Sequence, residues 1–167
     1  MLVEMTVKGL LIDPLQNVPM VILRDADNQR ALPIMVGPVE ANAIAVQLEN
    51  SATARPMTHD LLNTVINELG AAVEAIEVND LKDNTFFATV RLRRHDQLLS
   101  IDSRPSDAIS LALRTKSPIW VAKKVLEQSS VLQQGDEEKD QNLSNVSRDK
   151  WAEILEKMVP EDFKYKM

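Results

Sequence analysis

Three carboxylates stand where predicted strands give way to predicted helices, which is where side chains from different elements can converge. Glu40 and Asp107 fall in the first turns of two predicted helices, and Asp102 begins the segment that joins a predicted strand to the second of them. Hard divalent cations prefer oxygen ligands. We therefore predict that Glu40, Asp102 and Asp107 hold Mg²⁺ or Mn²⁺, ions that assist phosphodiester hydrolysis. On spacing alone, each acid is more often a helix cap, a turn residue or a surface ion pair.

An arginine and a His–Asp pair are further candidates for residues that act in phosphodiester hydrolysis. Arg104 is the natural group to steady a phosphate, because its guanidinium is planar and bidentate. His59 and Asp60 directly follow Thr58, a predicted N-cap, and we predict that His59 acts as a general acid or base. A local hydrogen bond beside the cap is an equally good interpretation of His59. The predicted catalytic residues are His59, Asp60 and Arg104.

The charge distribution bears on nucleic-acid binding. The formal net charge of -6 argues against a generic nucleic-acid coat protein, because phosphate binding is mostly electrostatic. Between Lys82 and Lys124, however, basic residues outnumber acidic ones. We predict nucleic-acid contacts from Arg91, Arg93 and Arg104. The alternative is that these are ordinary solvated positions on strands and helices.

Residue counts exclude several kinds of site. The chain has no cysteine, so a disulfide framework, a Cys-ligated zinc site and a thiol nucleophile are all excluded. Two histidines are too few for a His-rich metal site, and four unclustered glycines do not form a phosphate-binding loop.

Hydrophobic periodicity predicts an α+β fold, with a mixed, mainly antiparallel sheet and helices packed on it. The helix from Thr58 to Gly70 should bury Leu61, Leu62, Val65, Ile66 and Leu69, and Gly70 should end it with a positive φ. The predicted strands are 3–7, 18–24, 31–36, 73–78, 85–93, 97–101 and 118–121, and further helices begin at Pro38, Pro105 and Ala122.

Two of the predicted helices begin alike. Pro38 to Val46 aligns without gaps with Pro105 to Leu113, and each segment has proline first and an acid two residues later. An ancient duplication of a strand–helix unit would explain this similarity. The alternative is that both helices solve the same N-terminal problem, since an acid in the first turn interacts favourably with the helix dipole.

The predicted domain covers residues 1–129, followed by a charged linker at 130–146 and an amphipathic helix and tail at 147–167. A helix this short is marginal in water, so it should dock on its own core, a neighbouring subunit or a partner. Its apolar side carries Trp151, Ile154, Leu155 and Met158. Exposed sheet edges and this helix together favour a homo-oligomer.

The sequence has no membrane segment and no signal-peptide pattern at its start. A bilayer-spanning helix needs about 20 apolar residues, and no stretch approaches that length. We therefore expect a cytoplasmic protein that does not bind membranes.

Three motifs stand in the order Gly37 to Ile44, Arg55 to Leu62 and Asp102 to Ile109 along the chain. Together they resemble the bifunctional nuclease family, and Asn79 to Ala88 also fits the family pattern. The similarity covers roughly residues 1–129, with the motifs in the expected order. The ending from Pro160 to Met167 is similar to an extension of bacterial members.

Membership implies an α+β fold and a nuclease acting on both DNA and RNA, with Mg²⁺ or a similar ion. The plant relatives that give the family its name also carry a separate C-terminal motif associated with nucleotide-excision repair, and this sequence lacks that motif. Two alternatives stay open at this point. One is a non-catalytic regulatory or ligand-binding module with the same fold, and the other is nucleic-acid binding without cleavage.

Overall fold

The structure, a computed structural model, describes residues 1–13 and 16–129. The predicted linker at 130–146 and helix at 147–167 lie outside the described residues. The elements in chain order are β1 (Leu2–Ile12), β2 (Pro19–Asp25), β3 (Ala31–Met35), α1 (Pro38–Leu48), α2 (Thr58–Glu68), β4 (Ala71–Lys82), β5 (Thr85–Arg94), β6 (Gln97–Ser103), α3 (Pro105–Thr115) and β7 (Ile119–Ala122), followed by helical residues 123–129.

The strands form one mixed sheet in the order β3-β2-β1-β7-β4-β5-β6. Neighbouring strands are antiparallel except for β4 and β7, which are parallel. The predicted α+β class with a mixed, mainly antiparallel sheet is confirmed. β7 lies between two three-stranded meanders and is the strand that joins them.

Each half of the sheet has the same element order, a meander followed by a helix that begins with proline. α1 follows β3 with Gly37 as its N-cap, and α3 follows β6 with Arg104 as its N-cap. Pro38 and Pro105 are the first helical residues, where a missing N–H costs no helical hydrogen bond. The helix starts predicted at these prolines are confirmed, and the repeated order agrees with a duplicated unit.

The core lies between one face of the sheet and the helices α1 and α3. Ala88 and Val90 of β5 pack in the same buried cluster as Ile109 of α3, and Ile44 of α1 belongs to it as well. Both isoleucines are 0% exposed. Burying a side chain of this size stabilises the fold by about 1.5–3 kcal/mol. The core thereby fixes where the N-terminal ends of α1 and α3 lie.

The predicted buried side of α2 is wrong for four of its five residues. Ile66 is buried at 8% exposure, whereas four large apolar side chains on the same helix are exposed: Leu61, Leu62, Val65 and Leu69. The reason is that α2 packs against α3 and β4, and these neighbours cover only a narrow part of its surface. Gly70 does have the predicted positive φ of 70°.

Within residues 1–13 and 16–129, no helix combines the length and the apolar character that crossing a membrane requires.

Candidate active site

The N-terminal ends of α1, α2 and α3 contribute polar side chains to one cluster. Glu40 is in the first turn of α1, His59 in the first turn of α2 and Asp107 in the first turn of α3. Arg104, the N-cap residue of α3, contacts two of these side chains. We call Glu40, His59, Arg104 and Asp107 the N-terminal cluster.

Arg104 bridges the two carboxylates of the cluster. Its Nε donates to Oδ2 of Asp107 at 2.6 Å, and its Nη1 donates to Oε1 of Glu40 at 2.8 Å. The Arg104 side chain is nevertheless 65% exposed, whereas that of Glu40 is 20% exposed. The guanidinium is therefore held in a fixed orientation by two anions while solvent can still reach it.

His59 supports the other oxygen of Asp107. Its Nε2 lies 3.0 Å from Oδ1 of Asp107, and the residue is buried. Burial alone would raise the pKa of Asp107, but hydrogen bonds from Arg104 and His59 outweigh it and hold that pKa below its ordinary value. The carboxylate is thus ionised at neutral pH and can only accept. It follows that Nε2 of His59 carries the donated proton.

Gly37 leaves the space in which the Glu40 side chain lies. The φ of Gly37 is -70°, so no unusual backbone angle requires a glycine here. A Cβ at this position would instead collide with Oε2 of Glu40. The glycine therefore allows the Glu40 carboxylate to fold back toward the start of α1, where it meets Arg104.

Asp60, a predicted catalytic residue, takes part in a different set of contacts. Its Oδ2 accepts from the backbone N–H of Met57, and its Oδ1 accepts from Nε of Arg114 at 2.5 Å. Met57, rather than the predicted Thr58, is the N-cap of α2. Burial would raise the pKa of Asp60, but the hydrogen bonds from Met57 and Arg114 together lower it. Asp60 thus caps its helix and pairs with a buried cation.

Arg114 is the residue at this site that sequence reasoning missed. Its side chain is only 3% exposed, and Nη1 donates to the carbonyl oxygens of Ala43 in α1 and Ser110 in α3. Together with the contact to Asp60, these bonds tie the three helices to each other. No sequence signal separated Arg114 from the exposed basic residues around it, because its burial depends on how α1, α2 and α3 meet.

Asp102, predicted to share a metal with Glu40 and Asp107, does not join them. It pairs in register with Thr89, next to Ala88 and Val90, whose side chains pack in the core under α3. Successive side chains on a strand point to opposite faces, so Asp102 points to the face away from the helices. The carboxylate is exposed on that side of the sheet.

Arg91 and Arg93 also lie on the face away from the helices, and both are paired with acids of β4. Arg91 makes two 3.0 Å contacts with Glu77 and also donates to Ser100. Arg93 donates to Glu74 at 2.9 Å. The predicted nucleic-acid set is therefore divided, with Arg104 at the helix ends and the other two arginines on the opposite face.

The N-terminal cluster does not provide a preformed site for a divalent cation. Both oxygens of Asp107 accept hydrogen bonds, and Oε1 of Glu40 faces the Arg104 guanidinium. In the part of the chain that the structure describes, no group of three His, Asp or Glu side chains is placed to hold a metal ion. The group in the cluster that an anion can reach is Arg104, which is 65% exposed and lies at the positive end of α3, although both carboxylates contact it.

Comparison with known proteins shows which family the chain belongs to. A model of the bifunctional nuclease domain family matches residues 21–134, so the chain belongs to that family. The match includes every residue of the N-terminal cluster.

Relatives occur in bacteria and plants. The chain is 36% identical to an uncharacterized protein of Mycobacterium tuberculosis over 163 residues, which is 96% of this chain and 98% of the relative. It is 30% identical over 107 residues to bifunctional nuclease 2 of Oryza sativa subsp. japonica, covering 62% of this chain and 33% of that protein. For bifunctional nuclease 1 of Arabidopsis thaliana, the identity is 29% over 109 residues, covering 63% and 34%. The matched region is thus about a third of each plant protein.

Proposed function

We propose that this protein is a nuclease that hydrolyses phosphodiester bonds of DNA, RNA or both at the N-terminal cluster. The observation that carries the proposal is the pair of hydrogen bonds that hold the exposed Arg104 between Glu40 and Asp107. The names of the plant relatives support the same reaction class.

Arg104 is the proposed phosphate-binding residue. A guanidinium can donate two parallel hydrogen bonds to a phosphate, and its fixed charge stabilises the negative charge that develops during hydrolysis. Glu40 and Asp107 already hold it by its Nη1 and Nε atoms, so little ordering is required when substrate binds. In this role the two acids are positioning residues.

His59 is the proposed proton acceptor. Because Nε2 donates to Asp107, the neutral ring carries its lone pair on Nδ1, where it can take a proton from an attacking water. Asp107 fixes the tautomer and orientation of the ring, as a carboxylate does in other His-dependent hydrolases. Asp60 has no direct role in this proposal, since its carboxylate caps α2 and neutralises Arg114.

We also propose that the protein uses Mg²⁺ or Mn²⁺, and binding of the ion requires a separate measurement. The mechanism above assigns it no step, because the acids of the cluster are engaged with Arg104. Calorimetric titration of each ion, with and without an oligonucleotide, would test it. A metal that binds only in the presence of oligonucleotide would indicate that substrate phosphates supply some of the ligands.

The test of the proposed function is cleavage of labelled single- and double-stranded DNA and RNA, with Mg²⁺, with Mn²⁺ and with a chelator. Wild type would be compared with equally pure Arg104→Gln, His59→Gln and Asp107→Asn variants, and with Arg94→Gln, which changes an exposed arginine outside the cluster. Cleavage lost in the first three variants and retained in the fourth would support the proposal. Equal cleavage by all five proteins would show that the cleavage does not come from the N-terminal cluster, as is the case for a contaminating nuclease.

A second candidate function is that of a non-catalytic binding module. The exposed apolar side chains of α2 favour it, because contiguous apolar surface commonly marks a protein-binding site. If no substrate is cleaved under any condition, this candidate replaces the first. A Leu61→Lys/Val65→Lys protein that loses a partner captured by wild type would then support it.

A further inference from the structure

The two edges of the sheet differ in how well they are protected against pairing with another strand. One edge is β3, a strand of five residues that contains Pro33. The other edge is β6, a strand of seven residues without proline and with Asp102 as its only charged residue. No described strand pairs with the outer side of β6. Short length and proline are recognised protections for an edge strand, and β6 has neither.

β6 also exposes apolar side chains on both of its faces. Leu99 and Ile101 pair with Leu92 and Val90 of β5 and therefore lie on the face of the sheet that carries the core. Ile101 is nevertheless 47% exposed, and Leu98 on the opposite face is 50% exposed. Among residues 1–13 and 16–129, nothing covers the apolar surface of the sheet where it reaches this edge.

A second β6 strand fits this edge in one antiparallel register. In a symmetric antiparallel pair, the two-fold axis is perpendicular to the sheet, so like faces meet and a residue lies opposite itself at the axis. With Ser100 on the axis, Leu99 of each copy lies opposite Ile101 of the other. Moving the axis to Leu99 places Gln97 opposite Ile101, and moving it to Ile101 places Leu99 opposite Ser103. The register centred on Ser100 therefore pairs all the apolar residues of that face.

Charge complementarity favours the same register. Asp102 lies near the C-terminal end of β6, whereas Arg93, which is 51% exposed, is paired with Leu98 near the N-terminal end. Antiparallel pairing about Ser100 places Asp102 of each copy opposite Leu98 of the other, on the face that also carries Arg93. Each end of the interface thus brings an acid of one copy toward an arginine of the other. Opposite charges arranged in this way fix register more than they add affinity.

We propose that the protein forms a symmetric dimer in which the β6 strands of two copies pair antiparallel about Ser100. The two sheets then become one continuous sheet, with both helix layers on the same side. Arg104 directly follows β6, so the two N-terminal clusters lie on that side, about 27 Å apart along the strand direction at a rise of about 3.4 Å per residue. This proposal is independent of whether the clusters cleave nucleic acid.

The first test is the mass in solution, by light scattering and by sedimentation, over a range of protein concentrations. Wild type should have twice the 18.7 kDa mass of one chain. Ile101→Lys should raise the dissociation constant of the dimer by at least about tenfold, because two unpaired charges are placed in the apolar centre of the interface. Met35→Lys is the matched control, since Met35 is 48% exposed on the opposite edge and its variant should remain dimeric.

The second test uses the absence of cysteine from the chain, which makes any introduced thiol unique. Residues directly opposite in an antiparallel pair have Cβ atoms about 4.5–5.5 Å apart, close enough for a disulfide after a small adjustment. Under mild oxidation, Ser100→Cys should therefore become a covalent dimer. Thr85→Cys, which is exposed in the β4–β5 hairpin, should not.

Three results would overturn the proposal. They are a monomeric wild type, a dimer that Ile101→Lys leaves unchanged, and a dimer in which Ser100→Cys does not cross-link faster than Thr85→Cys. Circular dichroism of each variant would establish that the Ile101→Lys chain is folded when its mass is measured.

Discussion

Glu40 and Asp107 occupy the same position in two helices, the third residue after the N-cap, and both contact the guanidinium of Arg104. The similarity of the two helices in sequence is therefore also a similarity in the site. The helix that follows each meander carries one of the two carboxylates. Arg104, the N-cap residue of α3, lies between them. The acids meet within one chain, without any contribution from a second subunit.

Two glycine-to-alanine substitutions should have opposite effects, one lowering mainly the activity and the other mainly the stability. In Gly37→Ala, the new Cβ displaces the Glu40 carboxylate from Arg104, while the backbone φ of -70° suits alanine. Cleavage should fall as far as it does in Glu40→Gln, and the free energy of unfolding should change by less than about 1 kcal/mol. Gly70→Ala should do the opposite, because the φ of 70° is strained for alanine although nothing lies within 4 Å.

These two variants would be compared by urea denaturation and by the cleavage assay. A Gly37→Ala protein with full activity would show that cleavage does not depend on the position that the Glu40 carboxylate takes beside Gly37.

Arg104→Lys should be nearly as inactive as Arg104→Gln. A lysine ammonium is a point charge and cannot span Glu40 and Asp107 in the way that Nη1 and Nε of one planar group do. We expect the rate of cleavage to fall by about 10²–10³, which is typical of losing one group that stabilises transition-state charge. The melting temperature should change little, since the side chain is 65% exposed. Activity in Arg104→Lys within a few-fold of wild type would contradict bidentate phosphate binding.

The ion pair between Asp60 and the buried Arg114 should matter for stability. Asp60→Ala leaves the 3% exposed Arg114 side chain without its anionic partner and should lower the free energy of unfolding by about 3 kcal/mol. Glu68→Ala, at an exposed position on the same helix, should change it by less than about 0.5 kcal/mol. Asp60→Asn combined with Arg114→Met should recover part of the loss, because neither charge is then buried alone. Urea denaturation of the four proteins measures all of these effects.

The protein should become less stable in acid, and the lowered pKa values of two carboxyl groups predict the pH range in which this happens. Folding lowers the pKa of Asp60 and of Asp107 below the unfolded value of 3.8. Their contribution to the free energy of unfolding is therefore fully present above about pH 4 and is lost as the pH falls through the folded values.

Denaturation curves collected between pH 7 and pH 2 would check this effect. In Asp107→Asn, the difference in stability from wild type should shrink as the pH falls, since the wild-type carboxylate becomes protonated as well. A difference that stays constant down to pH 2 would contradict the assignment.

The sequence predicted a residue's role correctly where that role depends only on the end of a helix or strand. Pro38, Pro105 and Gly70 act locally, so their roles at helix ends were predicted correctly. Glu40 and Asp107 were also identified from their places in first helical turns. Their common contact with Arg104 could not be derived in this way, because it depends on how α1 and α3 pack.

Predictions failed where they depended on which face of a strand or helix carries a side chain and on what covers that face. Asp102 is close to Asp107 in the sequence, but the alternation of β6 places it on the other side of the sheet. Leu61 and Val65 follow a regular helical pattern and are nonetheless exposed, since the pattern does not say whether a neighbour covers that side. Arg114 is the reverse case, a charged residue that three helices bury together.

The position of the short strand β7, late in the sequence but central in the sheet, determines when the sheet can close during folding. Val121 of β7 pairs with Val3 at the start of the chain and with Val78 of the second meander. Until residues 119–122 have left the ribosome, the two meanders have no strand between them, and the edges of β1 and β4 are both unpaired. Closure of the sheet during synthesis is therefore a late event that depends on contacts distant in sequence.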